Sequence, residues 1–221
     1  MVKNKKTIAT AINFRKATPF RLIILFLCLT SIFLITFYWT SISSFILPFD
    51  LSILTSINHN RIRSLDLVFV FIADASSYIA IGIIILVFIL STVRKSATLK
   101  RKGWQLLFSF LLAVILTVSL KYSFNRFRPL VKYKQIEKLV ETNTPAFPSG
   151  HTLQAFAMAT ALILLFKNKI LFVIALLWAL AVTLSRLVLG VHFPSDVIGG
   201  MVISISSSYV CHFMFIRRYR Q

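Results

Sequence analysis

Acidic side chains are scarce in this sequence: six Asp and Glu stand against 25 Lys and Arg, giving a formal net charge of +19 over 221 residues. So few carboxylates leave little material for the oxygen-rich cage that a divalent cation needs. Cysteine is scarcer still, at two residues. Cys28 and Cys211 lie in apolar runs at opposite ends of the chain, without CxxC or Cys/His ligand spacing. A disulfide framework and a zinc site are therefore not expected, and both cysteines read as small apolar residues. No Gly/Ser-rich linker, internal repeat or low-complexity tract interrupts the interior, so residues 1–221 read as a single domain.

Hydrophobic residues, in contrast, make up 57% of the chain, and the mean hydropathy is +0.83. That exceeds what a soluble domain can bury. A strongly basic soluble protein would point to nucleic acid. Here the bases cluster between apolar runs and form no stripe interleaved with aromatics, so no nucleic-acid partner is expected and the bilayer is.

Crossing a bilayer core of roughly 30 Å takes about 20 apolar residues in a helix. Six segments approach that length, at 22–40, 75–93, 104–120, 150–166, 170–187 and 197–216. The expected fold is all-α, a six-helix transmembrane bundle. Basic residues before the first segment would also suit a signal peptide. The run is longer than a typical signal core, ends in Tyr38-Trp39 and lacks a small-x-small cleavage site, so it is expected to stay as a helix. With six spans both termini share one side. That side carries 16 of the 25 bases, while all six acids fall on the other. The positive-inside rule then puts the termini in the cytoplasm and places the 123–149 loop and the turn around His192 outside. Residues 51–73 hold Asn58, His59, Asn60, Arg61, Arg63 and Asp66 ahead of an apolar run, and read as an interfacial helix leading into the second span. Asp74 reads as a polar interface residue.

Chemistry concentrates on the outward side, in three clusters. Lys121 and Arg128 are seven residues apart, on one helix face two turns from each other, and Pro129 discourages helix beyond them. Two cations fixed this way form an anion site, although a snorkelling pair at a membrane boundary has the same spacing. Pro148-Ser149-Gly150-His151 precedes the fourth apolar run. Ser149 suits an N-cap, Gly150 permits close approach, and free N–H groups at the helix start form a phosphate cradle beside His151. A plain helix cap followed by an interfacial histidine is the structural alternative. Arg186 ends an apolar span, where a guanidinium is costly unless it binds something. His192 lies just ahead of Pro194, and Asp196 falls within reach of one imidazole nitrogen. A carboxylate holding one nitrogen leaves the other basic and aimed, as a nucleophile requires. A structural His–Asp contact at a helix start would look alike in sequence.

In order, Lys-x6-Arg-Pro at 121–129, Pro-Ser-Gly-His at 148–151 and Ser-Arg-x5-His-x3-Asp at 185–196 resemble the signature of the type 2 phosphatidic acid phosphatase family, which shares its active site with the vanadium haloperoxidases. With its helices the resemblance covers roughly residues 75–216, the expected catalytic core, and no functional position departs from the pattern. It implies that His192 attacks phosphorus to form a phosphohistidine, with Asp196 orienting it. His151 would protonate the leaving oxygen. Lys121, Arg128, Ser149, Gly150 and Arg186 would hold the phosphoryl oxygens. Neither metal nor cofactor is implied. Arg126, Lys132, Lys134 and Lys138 read as solvated charges of the same loop.

The expected partner is a phosphorylated lipid in the bilayer, and the expected location a bacterial cytoplasmic membrane with the active site extracytoplasmic. Candidate substrates are undecaprenyl diphosphate, which the compact chain favours, lipid A, phosphatidylglycerol phosphate and phosphatidic acid. A lipid phosphotransferase would share the covalent step. A haloperoxidase is disfavoured by the apolar spans. An anion-binding transporter would need midplane charges or broken helices, and the charges here sit at span ends.

Overall fold

The computed structural model describes residues 39–137 and 139–218. The chain divides into two units, Met1–Phe45 and Ile46–Gln221, and the second carries all the groups discussed below. No strand occurs among the described residues. The elements in order are α1 (Trp39–His59), a 3₁₀ turn (Arg63–Leu65), α2 (Asp66–Val93), α3 (Ala97–Phe124), the short α4 (Pro129–Lys132), α5 (Gly150–Phe166), α6 (Lys169–Val188) and α7 (Pro194–Arg218).

The segments around α1, α2, α3, α6 and α7 are long and apolar enough to cross a membrane, and α5 is a shorter apolar helix. Large apolar side chains such as Leu67, Phe71, Tyr78, Ile170 and Leu177 are exposed on α2 and α6. That inversion is stable only against lipid, where helices satisfy their own backbone bonds.

α5 holds the centre. It packs on α7, α6, α3 and α2, and Ala155, Ala157, Ala159 and Ala161 along it are buried. Small side chains let neighbouring backbones approach closely where lipid supplies no hydrophobic drive between helices. At 17 residues the helix is about 25 Å long, short for a lipid-facing span but sufficient inside a ring of others. Polar contacts add to the packing: Gln105 Nε2 lies 2.7 Å from His212 Nδ1, joining α3 to α7, and Ser208 Oγ donates to the Ala157 carbonyl at 3.2 Å.

Five of the six expected spans fall within α2, α3, α5, α6 and α7. The first, at 22–40, lies outside the described residues except for its last two, as does Cys28. The 51–73 segment differs from its interfacial reading. Its first part belongs to α1, and α2 begins at Asp66, earlier than the 75 expected. Asp66 tolerates that position because Arg61 pairs with it at 3.1 Å and because an acid in the first turn suits the helix dipole.

Candidate active site

His192 occupies the tight connection between α6 and α7. Gly190 there has φ of +70°, and a Cβ on it would come within 2.7 Å of Ile136 Cγ2. Only glycine meets both demands, and it reverses the chain just past the end of α6 at Val188. Pro194 then starts α7, its fixed φ suited to a first helical turn. Between these two constraints the His192 ring is driven inward and is 1% exposed. Its Nε2 lies 3.4 Å from Arg128 Nη1. Its Nδ1 faces Asp196 Oδ2 at 3.5 Å, too long to count as a formed hydrogen bond. With the guanidinium on the Nε2 side and the carboxylate on the Nδ1 side, the partners assign the proton to Nδ1 and the lone pair to Nε2.

Asp196 is fully buried and held from three directions. Phe193 N–H donates to its Oδ2 at 2.8 Å, Arg126 Nη1 to its Oδ1 at 2.5 Å, and its carbonyl accepts from Ser149 N–H at 3.1 Å. The last bond ties the starts of α7 and α5 together, so the second and third motifs meet through backbone. Arg126 is no solvated loop charge: its side chain is 8% exposed, it also pairs with Asp50 at 2.7 Å, and it stacks on Phe193. Burial between two carboxylates, invisible in the loop's local sequence, overrides the expectation.

Beside His192 opens a cavity of about 360 Å³, lined by Lys121, Arg128, Gly150, His151 and Arg186 among others. Lys121 Nζ donates to the Pro145 carbonyl. Arg128 donates from Nε to the Thr144 carbonyl at 2.7 Å and from Nη1 to the Val191 carbonyl at 2.9 Å, which fixes the guanidinium against the His192 turn. Arg186 Nε is buried without a hydrogen-bond partner. A Cβ at Gly150 would approach Thr117 Cγ2 to 2.9 Å, so the start of α5 lies hard against α3. Ser149 takes the N-cap position of α5 but makes no side-chain cap. Its hydroxyl instead accepts from Thr152 Oγ1 at 3.0 Å, wholly buried, and the residue does not line the cavity. Its expected capping role is corrected accordingly, and the helix-start N–H groups are left without that partner.

The PAP2 superfamily model matches residues 102–220. The chain belongs to the PAP2 superfamily. It is 30% identical to an undecaprenyl-diphosphatase of Sulfolobus acidocaldarius, over 73% of this chain and 76% of that one. A lipid A 4'-phosphatase of Bacteroides thetaiotaomicron is 28% identical over 52% of this chain and 58% of its own. Among solved structures, LpxE of Aquifex aeolicus superposes with a TM-score of 0.65 at 30% identity, over 73% of this chain and 93% of that one. With these relatives and its apolar helices, this PAP2 chain is an integral membrane protein.

Electrostatics in the PAP2 site follow from burial and cation density. The His192 imidazole is held well below the ordinary histidine pKa by burial above all, then by Arg128, Arg186, Lys121 and His151. It therefore stays neutral, with a lone pair to give. Among the described residues Lys121, Arg128 and Arg186 have no carboxylate within ion-pair distance, so their field is directed at the cavity. Ser77, Thr117, Thr142, Asn143, Thr144 and Gln154 also line it. None belongs to a motif, and only Thr117 on α3 and Gln154 on α5, one turn from Lys121 and His151, carried a spacing signal. Asp74 is exposed on α2 and lines no part of the cavity.

Proposed function

We propose that this PAP2 chain is a membrane lipid phosphatase in which His192 Nε2 attacks phosphorus and carries the phosphoryl group as a phosphohistidine. Asp196 holds the ring and balances the positive charge that develops on it. His151, on the first turn of α5, protonates the leaving oxygen and then takes a proton from the water that releases phosphate. Lys121, Arg128 and Arg186, with the N–H groups at Gly150, bear the phosphoryl oxygens as charge accumulates. Ser149 contributes backbone and fixes α7 against α5. One observation carries the reading: an imidazole nitrogen 3.4 Å from Arg128 Nη1, in a cavity that Arg186, Lys121 and His151 also line.

The preferred substrate is a polyprenyl diphosphate such as undecaprenyl diphosphate. The undecaprenyl-diphosphatase relative supports it by name and by the shared length. The site then faces the extracytoplasmic surface of a bacterial cytoplasmic membrane, with basic clusters at 94–102 and at Lys167 and Lys169 on the inner side. The test is phosphate release by purified protein in detergent, with EDTA, across undecaprenyl diphosphate, lipid A, phosphatidylglycerol phosphate and phosphatidic acid. Turnover should persist in EDTA and be fastest on the diphosphate. Label from the substrate should appear as free phosphate. Label transferred to an alcohol would make the protein a phosphotransferase, and loss of activity in EDTA would sink the mechanism.

A further inference from the structure

Behind His192, on the side away from the cavity, lies a buried charge cluster that the three motifs do not account for. Asp50 on α1 is 2% exposed. Its Oδ2 receives Arg126 Nη2 at 2.7 Å and the Ser195 hydroxyl at 2.5 Å, and its Oδ1 receives Ser195 N–H at 2.9 Å. The same guanidinium donates to Asp196 Oδ1 at 2.5 Å. A single buried arginine is thus shared by two buried carboxylates, one of which faces the imidazole.

Charge decides what this sharing does. An Arg126–Asp196 pair alone would be neutral, and its guanidinium would cancel the carboxylate that His192 needs when it becomes positive. Asp50 returns the cluster to a net charge of −1, equal and opposite to the developing imidazolium. Such balances matter most where water does not screen them. Asp50 also fixes the first turn of α7 through Ser195, and thereby the backbone that carries Asp196 and Phe193. Asp50 lies outside the 102–220 region that the PAP2 model matches.

We propose that Asp50 is a positioning and charge-balancing residue for the phosphoryl transfer, acting through Arg126 and Asp196 on His192. The proposal rests on the phosphohistidine reading above. It predicts that Asp50→Asn, isosteric but uncharged, slows formation of the phosphoenzyme without altering phosphate recognition, because no cavity cation is touched. It further predicts that neutralising the arginine as well restores the balance.

Four proteins decide it: the parent, Asp50→Asn, Asp50→Asn with Arg126→Gln, and His192→Ala. They are compared for kcat on a lipid phosphate, for competitive inhibition by inorganic phosphate in the active forms, and for acid-quenched phosphoenzyme. Asp50→Asn should lose at least tenfold in kcat and in phosphoenzyme formation rate, with the phosphate inhibition constant within threefold of the parent. The double variant should recover at least threefold over the single. A kcat within threefold of the parent for Asp50→Asn overturns the proposal. So does a joint loss of kcat and phosphate inhibition, which marks a scaffold role. A folded double variant, judged by monodispersity and phosphate inhibition, that is no faster than the single overturns the charge balance. If the double does not fold, the single variant decides. Turnover retained by His192→Ala would instead strike the underlying phosphohistidine reading.

Discussion

The two sides of His192 are built on opposite principles. Towards the cavity stand Lys121, Arg128 and Arg186, buried cations whose hydrogen bonds go to neutral groups, backbone carbonyls and the Thr144 hydroxyl, or, at Arg186 Nε, to nothing. On the far side Arg126 is closed between Asp50 and Asp196, with Ser195 completing the set. Buried like charges with no counter-ion cost stability, and a chain retains them where a ligand supplies the missing charge. A buried cation between two acids costs far less and gives rigidity. The first arrangement reads as a site, the second as the frame that aims it.

Removing the group common to both sides should have the largest effect. His192→Ala should lower phosphate release by about 10⁴-fold or more, as loss of a covalent nucleophile does. Calorimetry with inorganic phosphate should still detect binding, because all three cavity cations remain. A variant that lost binding as well would show that the ring holds the anion and does not merely react with it.

Substituting one cation from each side sharpens the contrast. Arg186→Met should lower kcat/KM by about 10²- to 10³-fold, the usual cost of one transition-state charge donor, while thermal stability in detergent stays level or rises as cation repulsion is relieved. Arg126→Met should do the reverse in stability. It strands Asp50 and Asp196, and breaking a buried ion pair costs about 3–5 kcal/mol, a drop of several degrees in Tm by differential scanning fluorimetry. Equal Tm changes in the two variants would erase the distinction between site and frame.

The pH dependence tests the cavity side alone. His192 is held neutral well below the ordinary histidine pKa by burial and then by its cationic neighbours, so the acid limb of kcat/KM should lie below pH 6.5. The linkage has a definite sign. Below the unfolded pKa the unfolded chain binds a proton that the native ring refuses, so stability from this group is complete above about pH 6.5 and falls as pH drops. In Arg128→Met the limb should move upward, towards the ordinary value. A limb that stays in place would mean that the Arg128 charge has no part in setting it.

The cavity side was legible in the sequence because its chemistry is written in short spacings. Lys121 and Arg128 carry a one-face spacing, although α3 in fact ends at Phe124 with Asn125 left-handed, and Arg128 reaches the cavity as the extended N-cap of α4 instead of from the same helix face. His192 and Asp196 flank a proline that starts α7. The frame was not. Asp50 and Arg126 are 76 positions apart, and no periodicity links a residue on α1 to a loop beyond α3. The limits of α1 and α2 were missed for a related reason. Asp50 and Asp66 lower the local hydropathy, and their charges are neutralised only by Arg126 and Arg61 in the fold. Ser149 carried a cap signature but turned its hydroxyl inward to Thr152, a choice made by burial and not by local preference.

A second part of the frame holds the loop up to Glu137, and here small effects separate buried from exposed contributions. Asn58 is 2% exposed and donates to the Val188 carbonyl at 3.1 Å while accepting from Glu137 N–H at 2.8 Å. Asn58→Ala should strand both backbone groups, at about 1–3 kcal/mol for an unsatisfied buried partner, and lower Tm by a few degrees. Glu137, next in the same contact, presents an exposed carboxylate to Arg61 at 2.7 Å. Its pKa is lowered chiefly by the Arg61 hydrogen bond and further by the Arg61, Arg63 and His59 charges, against some burial. Whatever stability it adds is therefore present above the ordinary glutamate range and lost as pH falls. The Arg61 side chain is buried but keeps Asp66 as a counter-ion, while the Glu137 end of the pair is open to solvent and screened by salt, so its contribution is small. Glu137→Gln should leave Tm within about a degree and kcat within twofold, because its backbone N–H still reaches Asn58. If Glu137→Gln destabilised the protein as much as Asn58→Ala, the loop would be held by side-chain charge and not by the buried amide.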